Sequence, residues 1–310
     1  MQTKSIEYLI QPQDQDSRMD KVVLRALGPQ ATRSLVRRLF ESQAIRIAGR
    51  VVNKNWRARP GDVLTVHVSS LDPTAIVEGD AHLDVRFERS DLVVVEKPAG
   101  QPTAPVRPGE TGTLVNALIA RYPEMVGVGY GPREPGIVHR LDTETSGLLL
   151  AARTQTAFAS LVSSLRSGTI RKEYFLVCEG SGLSDSGGID IPIGIDSKRG
   201  QRVVPCVHAE EIRRCNPRSA QTEYRVVERH GRFALVIARA PKAVRHQIRA
   251  HFAAIGHPLV GDALYGGNTD ELRRHALHAR LVGLSWGGEV EPFEVTSELP
   301  DDMASLVRAG

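Results

Sequence analysis

Between Ile137 and Leu150 the chain reads Ile-Val-His-Arg-Leu-Asp-Thr-Glu-Thr-Ser-Gly-Leu-Leu-Leu, two apolar segments around a short polar loop. The loop gathers a cation at Arg140, a carboxylate at Asp142, hydroxyls at Thr143, Thr145 and Ser146, and a glycine at 147. A loop pinned between strands gives its side chains little freedom, which suits a catalytic carboxylate. The same residues would also make a plain hairpin turn, with Asp142 and Ser146 bonding backbone amides. Asp142 and Glu144, two apart on an extended segment, would share a face as a hydrolase's carboxylate pair does, but no motif specifies the second acid. Tyr174 sits in the run EYFLVCEG, where pattern alone does not separate a site-facing ring from a core one. Lys242, Arg245 and Arg249 follow i, i+3, i+7 and share the basic face of a helix expected to start near Lys242, with Val244, Ile248 and Ile255 on its apolar stripe. Cys206, His208 and Cys215 lack a C-x-x-C spacing and supply three soft ligands where a tetrahedral zinc site takes four.

These residues need elements to hold them. From Leu83 onward, apolar or alternating runs such as LVVVEKP (92–98), GLLLAAR (147–153) and EYFLVCEG (173–180) alternate with a few helices, which predicts an α+β domain with a largely antiparallel sheet. Helix 154–167 is expected to be capped by Thr154, to bury Phe158, Leu161, Val162 and Leu165, and to stop at Gly168. Before it, residues 18–30 and 32–43 show helical spacing, and short strands around tight turns follow at 45–47, 51–52 and 63–66. The expected organisation is a small α+β domain over 1–68, a Ser-, Pro- and Gly-containing linker over 69–82, and the larger domain over 83–310.

The 310 residues are 41% hydrophobic, normal for packed cores. The net charge is +4, and residues 1–70 hold twelve Lys and Arg against six Asp and Glu, leaving −2 for the rest. A small basic module of this kind matches what neutralising nucleic-acid phosphates requires, although a solvated charged face is the plain alternative. No signal core or run of roughly 20 apolar residues is present, so a cytoplasmic location with no membrane contact is expected. Three cysteines cannot all pair with one another, and reduced thiols fit best. Walker and Rossmann motifs are absent.

The stretch His139-Arg140-Leu141-Asp142-x-x-Thr145-Ser146-Gly147-Leu148-Leu149 resembles the signature of the RluA-type pseudouridine synthases. Other segments follow in that family's order. Val95-Glu96-Lys97-Pro98-Ala99-Gly100 and Asn116-Ala117-Leu118 precede the signature, and Lys172-Glu173-Tyr174 and His246-Gln247-Ile248-Arg249-Ala250-His251 follow it. Gly256-His257-Pro258-Leu259-Val260-Gly261-Asp262 and Leu277-His278-Ala279 complete a match spanning 83–300. Residues 17–68 resemble an S-four-like RNA-binding domain, through Arg18-x-Asp20, Thr32-Arg33-Ser34, Ile45-x-Ile47-x-Gly49 and Pro60-Gly61-Asp62.

The resemblance implies an isomerase that breaks the ribose–uracil N1 bond, turns the base and rejoins it through C5, without metal or other cofactor. It implies Asp142 as the essential carboxylate and Tyr174 as a ring stacked on the target uracil that accepts the C5 proton. Arg140 is implied to hold the nucleotide flipped out of its stack, with Gln247 and Arg249 also binding substrate, and Arg18, Arg33, Arg37 and Arg38 contacting RNA. The expected partner is RNA, ribosomal before transfer RNA, with no obligate protein partner. One departure stands out. Where most members carry a Gly-Arg pair whose arginine is expected to face the catalytic aspartate, this chain has Ala243-Val244, so Arg245 becomes the expected replacement. The same departure motivates the alternative of an RNA-binding assembly factor without turnover.

Overall fold

The computed structural model describes residues 5–28, 31, 33–67, 75–79, 81–107, 109–195, 202–285 and 289–308, and within these the side chains of 33–35 and 38 are not described. The side chains of Arg33 and Arg38, residue 68, and residues 69–74 and 80 of the expected linker therefore lie outside the described residues. The chain divides into two compact units, Met1–Thr74 and Ala75–Gly310.

In the first unit, strands β1 (Ser5–Leu9), β2 (Ile45–Ile47), β3 (Arg50–Val51) and β4 (Val63–His67) form an antiparallel sheet in the order β1-β4-β2-β3. Helix α1 (Met19–Ala26) buries Met19, Val22 and Val23, an i, i+3, i+4 stripe, in the same core as Val36 and Leu39 of α2 (Arg33–Glu41) and Ile45, Leu64 and Val66 of the sheet. Both expected helices are present, each shorter than its apolar pattern. Strand β1 was not expected from the sequence, because Leu9, more than half exposed, interrupts the alternation of the inward Ile6 and Tyr8.

The second unit carries β5 (Asp84–Glu88), β6 (Leu92–Lys97), α3 (Leu114–Arg121), β7 (Ser146–Ala152), α4 (Gln155–Ser167), β8 (Ile170–Glu179) and β9 (Ser186–Asp190). Then come β10 (Ile193–Ile195), β11 (Val203–Pro205), α5 (Ala209–Cys215), β12 (Gln221–His230), β13 (Phe233–Arg239), α6 (Gln247–Ala254), β14 (Leu277–Leu284), β15 (Phe293–Thr296) and α7 (Asp301–Arg308). The main sheet runs β5-β6-β7-β14-β8-β13-β12-β9, with β15 on β14. This is an α+β fold whose sheet is antiparallel except at β7 and β14, which pair in parallel through His278 with Ser146 and Ala279 with Gly147.

The unbroken apolar runs of β6 and β7 follow from burial on both faces. Val93, Val95, Leu149 and Ala151 pack with Leu114, Leu118 and Ile119 of α3, while Leu92, Val94, Leu148 and Leu150 pack with Phe158 and Leu161 of α4. Helix α4 is capped as expected: the Thr154 hydroxyl accepts from Ala157 N at 3.2 Å, and Gly168 ends it at φ +82°.

Helix α6 departs from its sequence pattern. It begins at Gln247 rather than near Lys242, and its N-cap His246 is left-handed at φ +54°. The Gln247 carboxamide oxygen accepts from Val244 N at 3.0 Å, folding 244–247 into a turn. Arg245 and Arg249 are thus not on one helical face, because the helical register does not reach back to 245.

Candidate active site

The loop carrying Asp142 is held from several sides. Thr103 Oγ1 donates to Leu141 O at 2.8 Å and accepts from Leu141 N at 3.2 Å. The fully buried Lys97 ammonium donates to Pro98 O at 2.7 Å, Gln101 O at 2.8 Å and Thr143 O at 3.0 Å. Gly100 N also reaches Thr143 O at 2.9 Å. At the end of the loop, Thr145 Oγ1 contacts His275 Nε2 at 2.7 Å and Ser146 Oγ contacts His278 Nδ1 at 2.9 Å. Burial lowers the pKa of both imidazoles to about 4. They are therefore neutral hydrogen-bonding struts at physiological pH.

With its backbone fixed, Asp142 is not the amide-bonding residue of a plain turn. Its carboxylate accepts from Arg249 Nη1 at 2.8 Å, and His246 Nε2 lies 3.7 Å from the other oxygen. Burial lowers the His246 pKa, which disfavours a charged His246 as Asp142's counter-ion. Arg249 is itself braced: Nε and Nη2 donate to Asp262 at 2.7 and 2.9 Å, and its guanidinium carbon lies 5.2 Å from the Tyr265 ring centroid. Burial opposes its charge, but bonds and charge from Asp262, then from Asp142, prevail and raise its pKa. The two-pronged clamp on Asp262 leaves one nitrogen aimed at Asp142.

Arg249, not Arg245, is thus the cation on Asp142, a correction set by where α6 begins. Arg245 lies on the preceding loop, its Nε 3.4 Å from His246 Nε2. Gln247 lines the pocket that Asp142 and Arg249 share. Its side chain is buried, with Nε2 donating to Gln221 O at 2.8 Å and Thr222 Oγ1 at 3.0 Å, so its amide joins α6 to β12. The role of Asp262 was missed, although it stands in the Gly261-Asp262 segment, because a carboxylate 13 residues beyond its arginine leaves no periodic trace.

Asp142, Arg249 and Tyr174 line one pocket of about 910 Å³, together with Pro102, Thr103, Val138, His139, Arg140, Val162, Leu165 and Lys172. Burial first, and the Asp142 charge second, raise the pKa of the Tyr174 phenol to about 12, so it is neutral at physiological pH. Arg140 is mostly exposed and bonds Glu134 at 2.8 Å. Seven cations line the pocket, adding Arg166, Arg218, Lys242 and Arg245 to those named, and Asp142 is the only carboxylate among its described lining residues. Glu144 is exposed and does not line it. In the first unit, Arg18 bonds Asp20 at 2.8 Å and Arg37 lies 3.5 Å from Glu41, both pairs solvent-facing. Cys206 and Cys215 are buried and His208 exposed, and among the described residues no group of three side chains is placed to hold a metal ion.

A single carboxylate held by an arginine, sharing a cationic pocket with a buried phenol, suits chemistry on a polyanionic substrate. Residues 91–254 match the RNA pseudouridylate synthase family, and residues 17–64 match the S4 domain. The uncharacterized RNA pseudouridine synthase YlyB of Bacillus subtilis is 34% identical over 303 residues, 97% of each chain. Ribosomal large subunit pseudouridine synthase D of Haemophilus influenzae is 31% identical over 315 residues, 97% of this chain and 93% of its own. Human RNA Pseudouridylate Synthase Domain Containing 1 shares the fold with a TM-score of 0.59 at 25% identity, over 74% of this chain and 87% of that one. The chain belongs to the RNA pseudouridine synthase family, with an S4 domain at its N-terminal end. Among the described residues, no helix is long and apolar enough to cross a membrane.

Proposed function

We propose that this enzyme converts specific uridines of large-subunit ribosomal RNA to pseudouridine, with Asp142 as the essential carboxylate. The observation that carries the reading is the Asp142–Arg249–Asp262 chain at the edge of a cationic pocket. It gives the carboxylate a fixed direction and a buried counter-ion despite Ala243-Val244, which removes the motive for reading the chain as a binding factor without turnover. The choice of large-subunit RNA rests on relatives such as the ribosomal large subunit pseudouridine synthase D of Haemophilus influenzae.

In this reading the uridine leaves its stack and enters the pocket, because the reacting sugar is inaccessible within a helix. Exposed Arg140 and Arg245 meet the RNA backbone at the mouth, and Tyr174 lies against the uracil. As a neutral phenol Tyr174 stacks and donates, and it accepts the C5 proton only after its own proton has passed to a neighbouring acceptor.

Asp142→Asn keeps the shape of the site and removes the carboxylate. Expressed in cells lacking the protein, it should restore no pseudouridine stop in carbodiimide-dependent reverse transcription of ribosomal RNA, whereas wild type restores the missing one. Its affinity for the same RNA should stay within about twofold, since truncations that act on the reacting state leave ground-state binding intact. A fully active Asp142→Asn would refute the assignment, and stops restored on transfer RNA alone would move the substrate.

A further inference from the structure

Two of the seven pocket cations are buried. Arg249 is spoken for by two carboxylates. Lys172 is 8% exposed, and among the described residues its ammonium bonds no acceptor and pairs with no carboxylate. The other five, Arg140, Arg166, Arg218, Lys242 and Arg245, are exposed. The rest of the Lys172 side chain is buried while the ammonium opens on the pocket. A cation held there without a protein partner is disfavoured in the resting protein, and such groups persist where a bound ligand supplies the missing charge.

The surroundings say which part of the ligand that is. Lys172 stands two residues before Tyr174 on β8, so both side chains rise from one face of the strand into one pocket. The same pocket is lined by the apolar Val138, Val162, Leu165 and Leu277. His139, which feels the Lys172 charge, accepts from Leu150 N through Nε2 at 3.1 Å and has its pKa lowered to about 3 by burial first and by Lys172 second, so it is no counter-ion. A phosphate belongs with the exposed cations at the mouth. The flat, weakly polar base belongs beside the Tyr174 ring, on the strand face that also carries Lys172.

On the reading proposed above, we infer that the Lys172 ammonium donates to a carbonyl oxygen of the target uracil and stabilises the negative charge the base takes up as its bond to ribose breaks. When N1–C1′ opens, the bonding pair leaves with the base and spreads over N1, O2 and O4. The pair returns to carbon when C5–C1′ forms, the C5 proton then departs to a base, and N1 takes up a proton from water, so that the product is an isomer of the substrate. Lys172 stays protonated throughout and transfers nothing. Its contribution is a fixed positive charge at the oxygens where negative charge develops.

The test is Lys172→Met in the full-length protein, which keeps the volume of the stem and removes the charge. Single-turnover rates are measured at saturating RNA, on a large-subunit fragment that wild type modifies and on the same fragment with 5-fluorouridine at the target, following loss of the N-linked nucleoside. Fluorine already withdraws charge from the base, so a substrate carrying it needs less help from a cation. The expected result is a rate loss of about 10²-fold on uridine, roughly tenfold smaller on 5-fluorouridine, with RNA affinity within about twofold of wild type. A variant as fast as wild type overturns the inference. So does an equal loss on both substrates, and so does weakened binding with a salt slope reduced by about 1 at unchanged saturated rate, the signature of a phosphate contact. Wild type inactive on every ribosomal fragment would instead sink the functional reading beneath it.

Discussion

Two buried lysines in this protein show opposite relations to their surroundings. Burial brings the pKa of both Lys97 and Lys172 from 10.5 down to about 8. Lys97 spends its three N–H bonds on three backbone carbonyls beneath the Asp142 loop, whereas Lys172 bonds nothing in the described protein. Replacing each by Met should therefore move stability in opposite directions. Lys97→Met strands three acceptors and should lower the unfolding free energy by roughly 3 kcal/mol, whereas Lys172→Met removes an uncompensated charge and should raise it by on the order of 2 kcal/mol. Urea titration at pH 7 reads both, and a destabilised Lys172→Met would show that the ammonium has a structural partner. The gain has a pH signature. Between pH 8 and 10.5 the unfolded chain holds the proton that the folded Lys172 has lost, so wild-type stability rises with pH across that window. The advantage of Lys172→Met should be full below pH 8 and fade toward pH 10.5.

At the scale of elements, the join between β7 and β14 depends on one glycine. A Cβ on Gly147 would stand 2.4 Å from Ala279 O, and its φ of +108° suits no other residue. Gly147→Ala should cost roughly 3 kcal/mol or more and loosen the loop that ends at Ser146, read as a lowered Tm together with lost activity. An Ala variant with wild-type Tm would mean that the strands separate easily. Other elements were legible to different degrees. Helix α4 was plain because its cap, stripe and stop are all local in sequence. The Asp142 loop was legible as a polar interruption between apolar strands. The start of α6 was not, since Lys242, Arg245 and Arg249 imitate a helical face while a left-handed His246 and the Gln247–Val244 turn set the true boundary. Tertiary contacts to Gln221 and Thr222, about 25 residues upstream, fix that turn, and periodicity carries no record of them.

At the scale of the whole molecule, charge and chemistry are divided between the two units. The excess positive charge lies in residues 1–70, whereas the carboxylate and its arginine lie beyond residue 140. Removing residues 1–74 should make the dependence of RNA affinity on salt concentration shallower while the remaining unit keeps a measurable rate, as filter binding at several ionic strengths would show. An unchanged slope would place the phosphate contacts elsewhere. The order of strands also bears on how the enzyme comes into being. β14 lies between β7 and β8 in the sheet, and Ser146 waits for His278, 132 positions later, as Asp142 waits 107 positions for Arg249. A chain emerging from the ribosome therefore carries its Asp142 loop for more than a third of its length before Arg249 and His278 exist to hold it, with the facing edges of β7 and β8 unpaired in the meantime. On the function proposed above, activity is the last property this polypeptide acquires, and an incomplete copy bearing the full signature should bind RNA without modifying it.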